Sequence, residues 1–153
     1  MFSNELVCDL LSYIHENIND DITMEKITRF FFFDKTYIMK RFKKEIGLSI
    51  HTYINHIRIY NSLPLFKQDH SILKIALLNG FQSLEYFSET FKKIMRVSPT
   101  TYKKFVCHQM TISLEEYEII CNSLISLQSL KDFSTQYSKN RKPKKAPIKK
   151  MYL

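Results

Sequence analysis

The chain has 153 residues, a net charge of +8 and only 2 Gly and 4 Pro. This length fits one domain with a short appendage, and the scarcity of Gly and Pro disfavours an all-β fold and favours helices. No run of 18 apolar residues occurs, so no membrane span is expected. Three cysteines without a C-x-x-C pair are typical of a reduced, cytoplasmic protein.

The charge is unevenly distributed along the chain. Residues 1–105 carry 15 Lys/Arg against 11 Asp/Glu, residues 106–138 one against four, and residues 139–153 seven against none. A soluble domain with a basic tail would have this distribution, and net charge alone identifies no partner.

Helical periodicity and capping residues predict seven helices over the first two thirds of the chain. The first helix is predicted over 4–18, and the third over about 35–46. Residues that suit helix starts are Thr23, Asp34, Ser49, Ser71, Ser83 and Ser98 followed by Pro99, and Gly47 suits the end of helix 3. A long helix 4 is expected to hold Leu63 and Leu65 on its inward side, with Pro64 in its last turn.

The C-terminal third differs in composition. Ser113 and Glu116 form a capping box that predicts an extra helix within residues 106–133. The apolar and acidic part of this extension is expected to pack on helix 7, to dimerise or to dock a partner. Residues 134–153, rich in Lys, Pro, Ser and Asn, are expected to be a disordered basic tail.

A pattern of residues in the second and third helices recurs further along the chain. The recurring residues are Ile27-Thr28, Phe33, Tyr37-Ile38 and Phe42-Lys43-Lys44, then Ile75-Ala76, Phe81, Tyr86-Phe87 and Phe91-Lys92-Lys93. The offset is 48 residues at Phe33/Phe81 and 49 at Phe42/Phe91. Each copy has the layout of a helix-turn-helix, so the unit is predicted to occur twice.

These residues resemble the DNA-binding domain of the AraC/XylS family over about residues 4–105. The most specific matches are Asn79-Gly80-Phe81, Tyr86-Phe87-Ser88, Phe91-Lys92-Lys93 and Ser98-Pro99 with Tyr102. The resemblance implies an all-α domain over 1–105, with two helix-turn-helix modules joined by helix 4. It also implies a sequence-specific transcriptional regulator, an activator by family habit, whose helices 3 and 6 enter successive major grooves of double-stranded DNA.

By position in the family motif, particular side chains would meet DNA. Those expected to face bases are Thr36, Met39, Lys40, Glu85, Tyr86 and Glu89; those expected to contact phosphates are Lys35, Arg41, Lys43, Lys44, Lys92 and Lys93. An ordinary solvated face is the less favoured alternative for Lys43, Lys44, Lys92 and Lys93. Tyr37, Phe42, Phe87 and Phe91 are assigned to the core rather than to base reading, and Arg58 to a structural role.

Three features depart from the family pattern. Glu85 and Glu89 stand where DNA would lie. Phosphates repel carboxylates, but a Glu can accept a hydrogen bond from a cytosine amine. Phe32 occupies a corner where Gly is common, and a left-handed conformation there would cost roughly 1 kcal/mol. Pro64 removes a hydrogen bond near the end of helix 4.

Other functions remain as alternatives. No metal-ligand spacing, phosphate loop or nucleophile elbow occurs, so an enzyme, a metal site and a cofactor are not expected. A small-molecule effector domain is not expected either, since few residues precede helix 1. The main alternative is an adaptor or antagonist that binds a transcription factor or RNA polymerase and reads little DNA. The regulator itself is expected to be a monomer rather than a dimer.

Overall fold

The computed structural model describes residues 2–107 and 112–141, which form eight α-helices and one 3-10 helix. The helices are α1 (Phe2–Glu16), α2 (Met24–Phe31), α3 (Lys35–Ile46), α4 (Ile50–Ser62), the 3-10 helix (Leu63–Lys67), α5 (Ile72–Leu78), α6 (Leu84–Met95), α7 (Pro99–Cys107) and α8 (Leu114–Arg141). The all-α class and the extra C-terminal helix are therefore confirmed. The chain divides into two compact units. The first unit comprises the chain up to Ile54 with α8 from Lys131 onward, and the second is Asn55–Leu130.

The first unit has a core of aromatic and branched side chains contributed by α1 to α4. Its fully buried members include Leu10, Ile14, Ile27, Phe31, Ile38, Phe42 and Tyr53. The Phe42 and Tyr53 rings meet edge to face with centroids 5.4 Å apart. This geometry is preferred by aromatic pairs, so it anchors α3 against α4.

The second unit has a similar core, to which α8 contributes. Its members include Phe66, Phe81, Phe87, Phe91, Tyr102, Ile120 and Leu127. The Ser123 hydroxyl of α8 donates a 2.8 Å hydrogen bond to the carbonyl oxygen of Met95. The first part of α8 therefore packs on this unit, and its residues Ile120 and Leu127 share the core with Tyr102 of α7.

Local chemistry places the helix starts where the sequence predicts them. The side-chain oxygen of each predicted cap accepts a hydrogen bond from a backbone N–H group two or three residues later. These caps are Thr23, Asp34, Ser49, Ser71, Ser83 and Ser98. The capping box is complete, since the Glu116 carboxylate accepts from the Ser113 N–H and the Ser113 hydroxyl oxygen accepts from the Glu116 N–H.

The repeat is visible in the backbone as well as in the residues. Left-handed residues follow the first helix of each module at Phe32 (φ 56°) and Gly80 (φ 84°), an offset of 48. They also follow the second helix at Gly47 (φ 90°) and Arg96 (φ 66°), an offset of 49. The inserted residue thus lies between these two corners. Each module has one Gly and one other residue at its left-handed positions. Gly comes second in the first module and first in the second module.

Two predictions about helix ends were wrong. Helix α4 ends at Ser62, and Pro64 lies at the start of the 3-10 helix rather than in the last α-helical turn. Proline lacks an N–H and disfavours the α conformation in the residue before it, so the helix ends there. The Leu63 side chain is buried as predicted, whereas Leu65 is only half-buried.

The second error concerns the predicted disordered tail. Helix α8 continues to Arg141, so residues 134–141 are helical, and the remainder of the predicted tail lies outside the described residues. Ser134 and Tyr137 are buried in the first unit, where the Tyr137 hydroxyl donates to the Glu45 carboxylate at 3.4 Å. Tertiary packing thus overrides the polar composition of this segment.

We expect the left-handed corners to control stability through backbone strain. Phe32→Gly should raise the free energy of unfolding by about 1 kcal/mol, because the side chain is 68% exposed and little burial is lost. Gly47→Ala should lower it by about 1 kcal/mol, although an added Cβ would meet no atom within 4 Å. Urea unfolding measures both changes. Gln82→Gly, at an exposed residue without positive φ, is the control and should not stabilise.

A histidine in the first unit should make stability depend on pH. His15 Nε2 lies 2.7 Å from the Tyr53 hydroxyl, and burial, with the charge of Lys131 second, lowers the pKa of His15 from 6.5 to about 4. The unfolded chain therefore binds the extra proton between these values, so this contribution is complete above pH 6.5 and lost as pH falls toward 4. The urea midpoint should fall between about pH 7.5 and about pH 5 by more than in His15→Gln. An equal fall in both proteins would contradict this assignment.

Candidate nucleic-acid interface

Helix α3 buries one stripe and exposes the opposite face. Ile38, Phe42 and Ile46, spaced by four residues, are buried in the first unit. The Asp34 carboxylate accepts hydrogen bonds from the Thr36 and Tyr37 N–H groups, at 3.0 and 3.4 Å, and so fixes the first turn. The outward face carries four exposed cations and two smaller candidate readers: Lys35, Thr36, Met39, Lys40, Lys43 and Lys44.

Helix α6 has the same design in the second unit. Phe87, Phe91 and Met95 form the buried stripe, and the Ser83 hydroxyl oxygen accepts from the Tyr86 N–H at 3.1 Å. The exposed candidates are Glu85, Tyr86, Glu89, Lys92 and Lys93. The packing that fixes each helix therefore leaves all of the predicted base-facing side chains exposed.

Arg41 does not belong to the exposed cations, although it was predicted to contact phosphate. Its guanidinium forms a 3.3 Å ion pair with Glu45 one turn later, and the two side chains are only 22% and 18% exposed. Its Nε atom is buried and makes no hydrogen bond. The geometry gives Arg41 a structural contact within the first unit.

Tyr37 was wrongly assigned to the core. Its side chain is 40% exposed, nearly the same as the 39% of Tyr86, which lies 49 residues later at the equivalent helical position. The Tyr37 ring packs beside Phe33, with centroids 5.3 Å apart. The repeat is the signal that identifies Tyr37 as a surface residue, because the equivalent Tyr86 is predicted to face DNA.

Tyr86 is held in place by two neighbours within the second unit. Its hydroxyl oxygen accepts a 2.9 Å hydrogen bond from the Asn55 amide, and its ring packs beside Phe81 with centroids 5.8 Å apart. The Arg58 guanidinium lies 6.0 Å from the Phe81 ring centroid, a distance suited to a cation–π contact. This contact agrees with the structural role predicted for Arg58.

Two features are absent from the described part of the chain. Within 2–107 and 112–141, no group of three His, Cys, Asp or Glu side chains is arranged to hold a metal ion. None of the helices in these ranges is long and apolar enough to cross a membrane.

Comparisons with known proteins match the region that contains both modules. A family model described as a helix-turn-helix domain matches residues 27–104. The HTH-type transcriptional regulator MtrA of Neisseria gonorrhoeae is 35% identical over 96 residues, covering 62% of this chain and 32% of that protein. The uncharacterized HTH-type transcriptional regulator YbfP of Bacillus subtilis is 33% identical over 107 residues, covering 69% and 36%. The chain thus spans about a third of the length of these relatives.

Solved structures show a similar arrangement. The C-terminal domain of AraT, a response regulator from Geobacillus stearothermophilus, has a TM-score of 0.62 and 29% identity, covering 71% of this chain and 88% of that one. A DNA-binding transcriptional dual regulator from Escherichia coli K-12 has a TM-score of 0.56. At 23% identity, the second match shows the fold alone.

We expect Arg41 and its neighbour Lys40 to differ sharply in their effect on stability. Arg41→Ala should lower the free energy of unfolding by about 1–3 kcal/mol, because it leaves the largely buried Glu45 without its cation. The exposed Lys40→Ala is the matched control and should change stability by less than about 0.5 kcal/mol. Urea unfolding compares the two, and similar losses would contradict the structural assignment of Arg41.

Proposed function

Because the chain belongs to the AraC-type helix-turn-helix family, we propose that it is a DNA-binding transcriptional regulator that reads duplex DNA sequence-specifically. Helices α3 and α6, called the recognition helices below, occupy successive major grooves. An α-helix fits this groove, where each base pair presents a distinct pattern of donors and acceptors. Activation through contact with RNA polymerase is the expected mode, on the family resemblance alone.

The observation that carries this proposal is the outward face of α3. It presents Lys35, Lys40, Lys43 and Lys44 with Thr36 and Met39, while the carboxylate of Glu45 on the same helix is held by Arg41. Lysines on both sides of shorter side chains suit a helix that meets phosphates at its edges and base edges at its centre. Lys43 and Lys44 also lie in the last turn, where cations favour the helix itself.

A second candidate function, a protein-binding adaptor, is favoured by α8. One face of this helix is buried through Ile120 and Leu127, whereas Leu114, Tyr117 and Ile125 are 87%, 52% and 64% exposed. Ile125 also lines a cleft of about 490 Å³ in the second unit, with Tyr60, Leu63 and Tyr102. Exposed apolar side chains, one of which lines an apolar cleft, are typical of a protein contact. A regulator that contacts polymerase would bind it through such a surface and would also bind DNA.

Selection of bound sites from a random duplex pool, at about physiological salt, separates these functions. We expect enrichment of one asymmetric site with two motifs about 10 base pairs apart, the spacing of successive major grooves. Lys40→Ala, which leaves the fold intact, should weaken the preference within one motif. No enrichment by the unaltered protein would reject sequence-specific reading and favour the adaptor.

The salt dependence of binding tests the phosphate contacts. Lys43→Ala should weaken binding to all duplexes alike and reduce the slope of log K against log salt by about 1, because one fewer counterion is released. Lys67→Ala removes the same charge from an exposed residue of the 3-10 helix and is the matched control. Fluorescence anisotropy over a range of salt concentrations measures both slopes. Equal slopes in the two variants would show that Lys43 is not at a phosphate.

A further inference from the structure

The two recognition helices differ in charge at positions that are otherwise equivalent. Their caps Asp34 and Ser83, and their buried stripes, repeat at an offset of 49 residues. At the same offset, Thr36 corresponds to Glu85 and Lys40 to Glu89. The Lys40 and Glu89 side chains are both exposed, in the second turn of their helices. The protein therefore presents a cation at one such position and an anion at the other.

Glu89 is fixed by no ion pair within the described part of its own helix. Glu85 lies in the first turn, where the helix dipole stabilises a carboxylate, but Glu89 lies a turn later. The two carboxylates are four residues apart, a spacing at which like charges disfavour a helix. Glu89 makes no ion pair within the described ranges, even though Lys92 and Lys93 follow it by three and four residues. Packing therefore does not account for an anion at this position.

We propose that Glu89 selects a cytosine in one half of the DNA site, and that Lys40 selects a guanine at the equivalent place in the other half. This inference rests on the proposed function. A carboxylate only accepts hydrogen bonds, and the donors in the major groove are the cytosine N4 and adenine N6 amines. Adenine places the N7 acceptor beside its amine, which repels a carboxylate, whereas cytosine has no such acceptor. The Lys40 ammonium only donates, and guanine offers O6 and N7 as acceptors.

The charge of Glu89 makes it a source of selectivity rather than of affinity. Phosphates repel the carboxylate, so it weakens binding to every sequence before any base is read. A cytosine amine offsets this cost, while guanine and thymine leave a desolvated charge without a donor and adenine opposes it with its N7 acceptor. The half-site read by α6 is therefore weak and stringent at one base pair, and the half-site read by α3 gains affinity from its lysines.

Three substitutions at the two positions test this assignment. Sites are selected from the random duplex pool with the unaltered protein and with Glu89→Lys, Glu89→Gln and Lys40→Glu. We expect one position to change from cytosine to guanine in Glu89→Lys and to adenine in Glu89→Gln, the base that an amide pairs with. Lys40→Glu should change guanine to cytosine in the other half-site. On duplexes that differ at this base pair alone, the preferred base should bind about tenfold more tightly.

Glu118→Lys is the matched control, because it makes the same charge change at an exposed residue of α8. It should alter binding to all sequences alike and leave every base preference unchanged. If Glu89→Lys also strengthens all binding without changing a base, the inference is overturned while the proposed function stands. A preference of the unaltered protein for another base at the affected position would overturn it too. If the unaltered protein enriches no sequence, the proposed function and this inference both fail. Circular dichroism confirms that each variant remains helical.

Discussion

Burial of a three-residue apolar stripe along α3 and α6 is the constraint on which the surface chemistry depends. The stripes are Ile38, Phe42 and Ile46 in the first helix and Phe87, Phe91 and Met95 in the second. Each such side chain contributes about 2 kcal/mol when it leaves water. Turning either helix by one residue, about 100°, would expose this stripe and bury lysine or glutamate instead. The core therefore determines which positions of the helix face outward. It does not determine which polar residues occupy those positions.

The sequence predicted the helix starts well because a cap depends on a few adjacent residues. Thr23, Asp34, Ser71 and Ser83 each supply an oxygen to a backbone N–H within three positions, which no distant contact needs to support. The helix end near Pro64 was misjudged although its cause is also local. Pro64 has no N–H to continue the α-helical hydrogen bonds, and the chain goes on from Ser62 as a 3-10 helix.

Tertiary contacts account for what the sequence could not predict. Residues 134–141 have the composition of a tail, yet they are helical because Ser134 and Tyr137 are buried among residues far away in the chain. In the sequence Arg41 looks like one more cation of a basic helix. Only the structure shows that its guanidinium forms an ion pair with the largely buried Glu45. The exposed face of α8 is also a consequence of packing, which buries Ile120 and Leu127 but leaves Ile125 64% exposed.

The repeat explains how two similar modules can carry different surfaces. The left-handed corners show that the backbone is conserved between modules even where Gly is replaced, since Phe32 and Arg96 adopt the conformation of Gly80 and Gly47. A backbone that tolerates such strain is held by its core rather than by the residues at its corners. Substitutions on the outward faces then cost the fold little, because no buried contact depends on them. Lys40 and Glu89 illustrate this freedom, because these equivalent exposed positions have opposite charges on the same backbone.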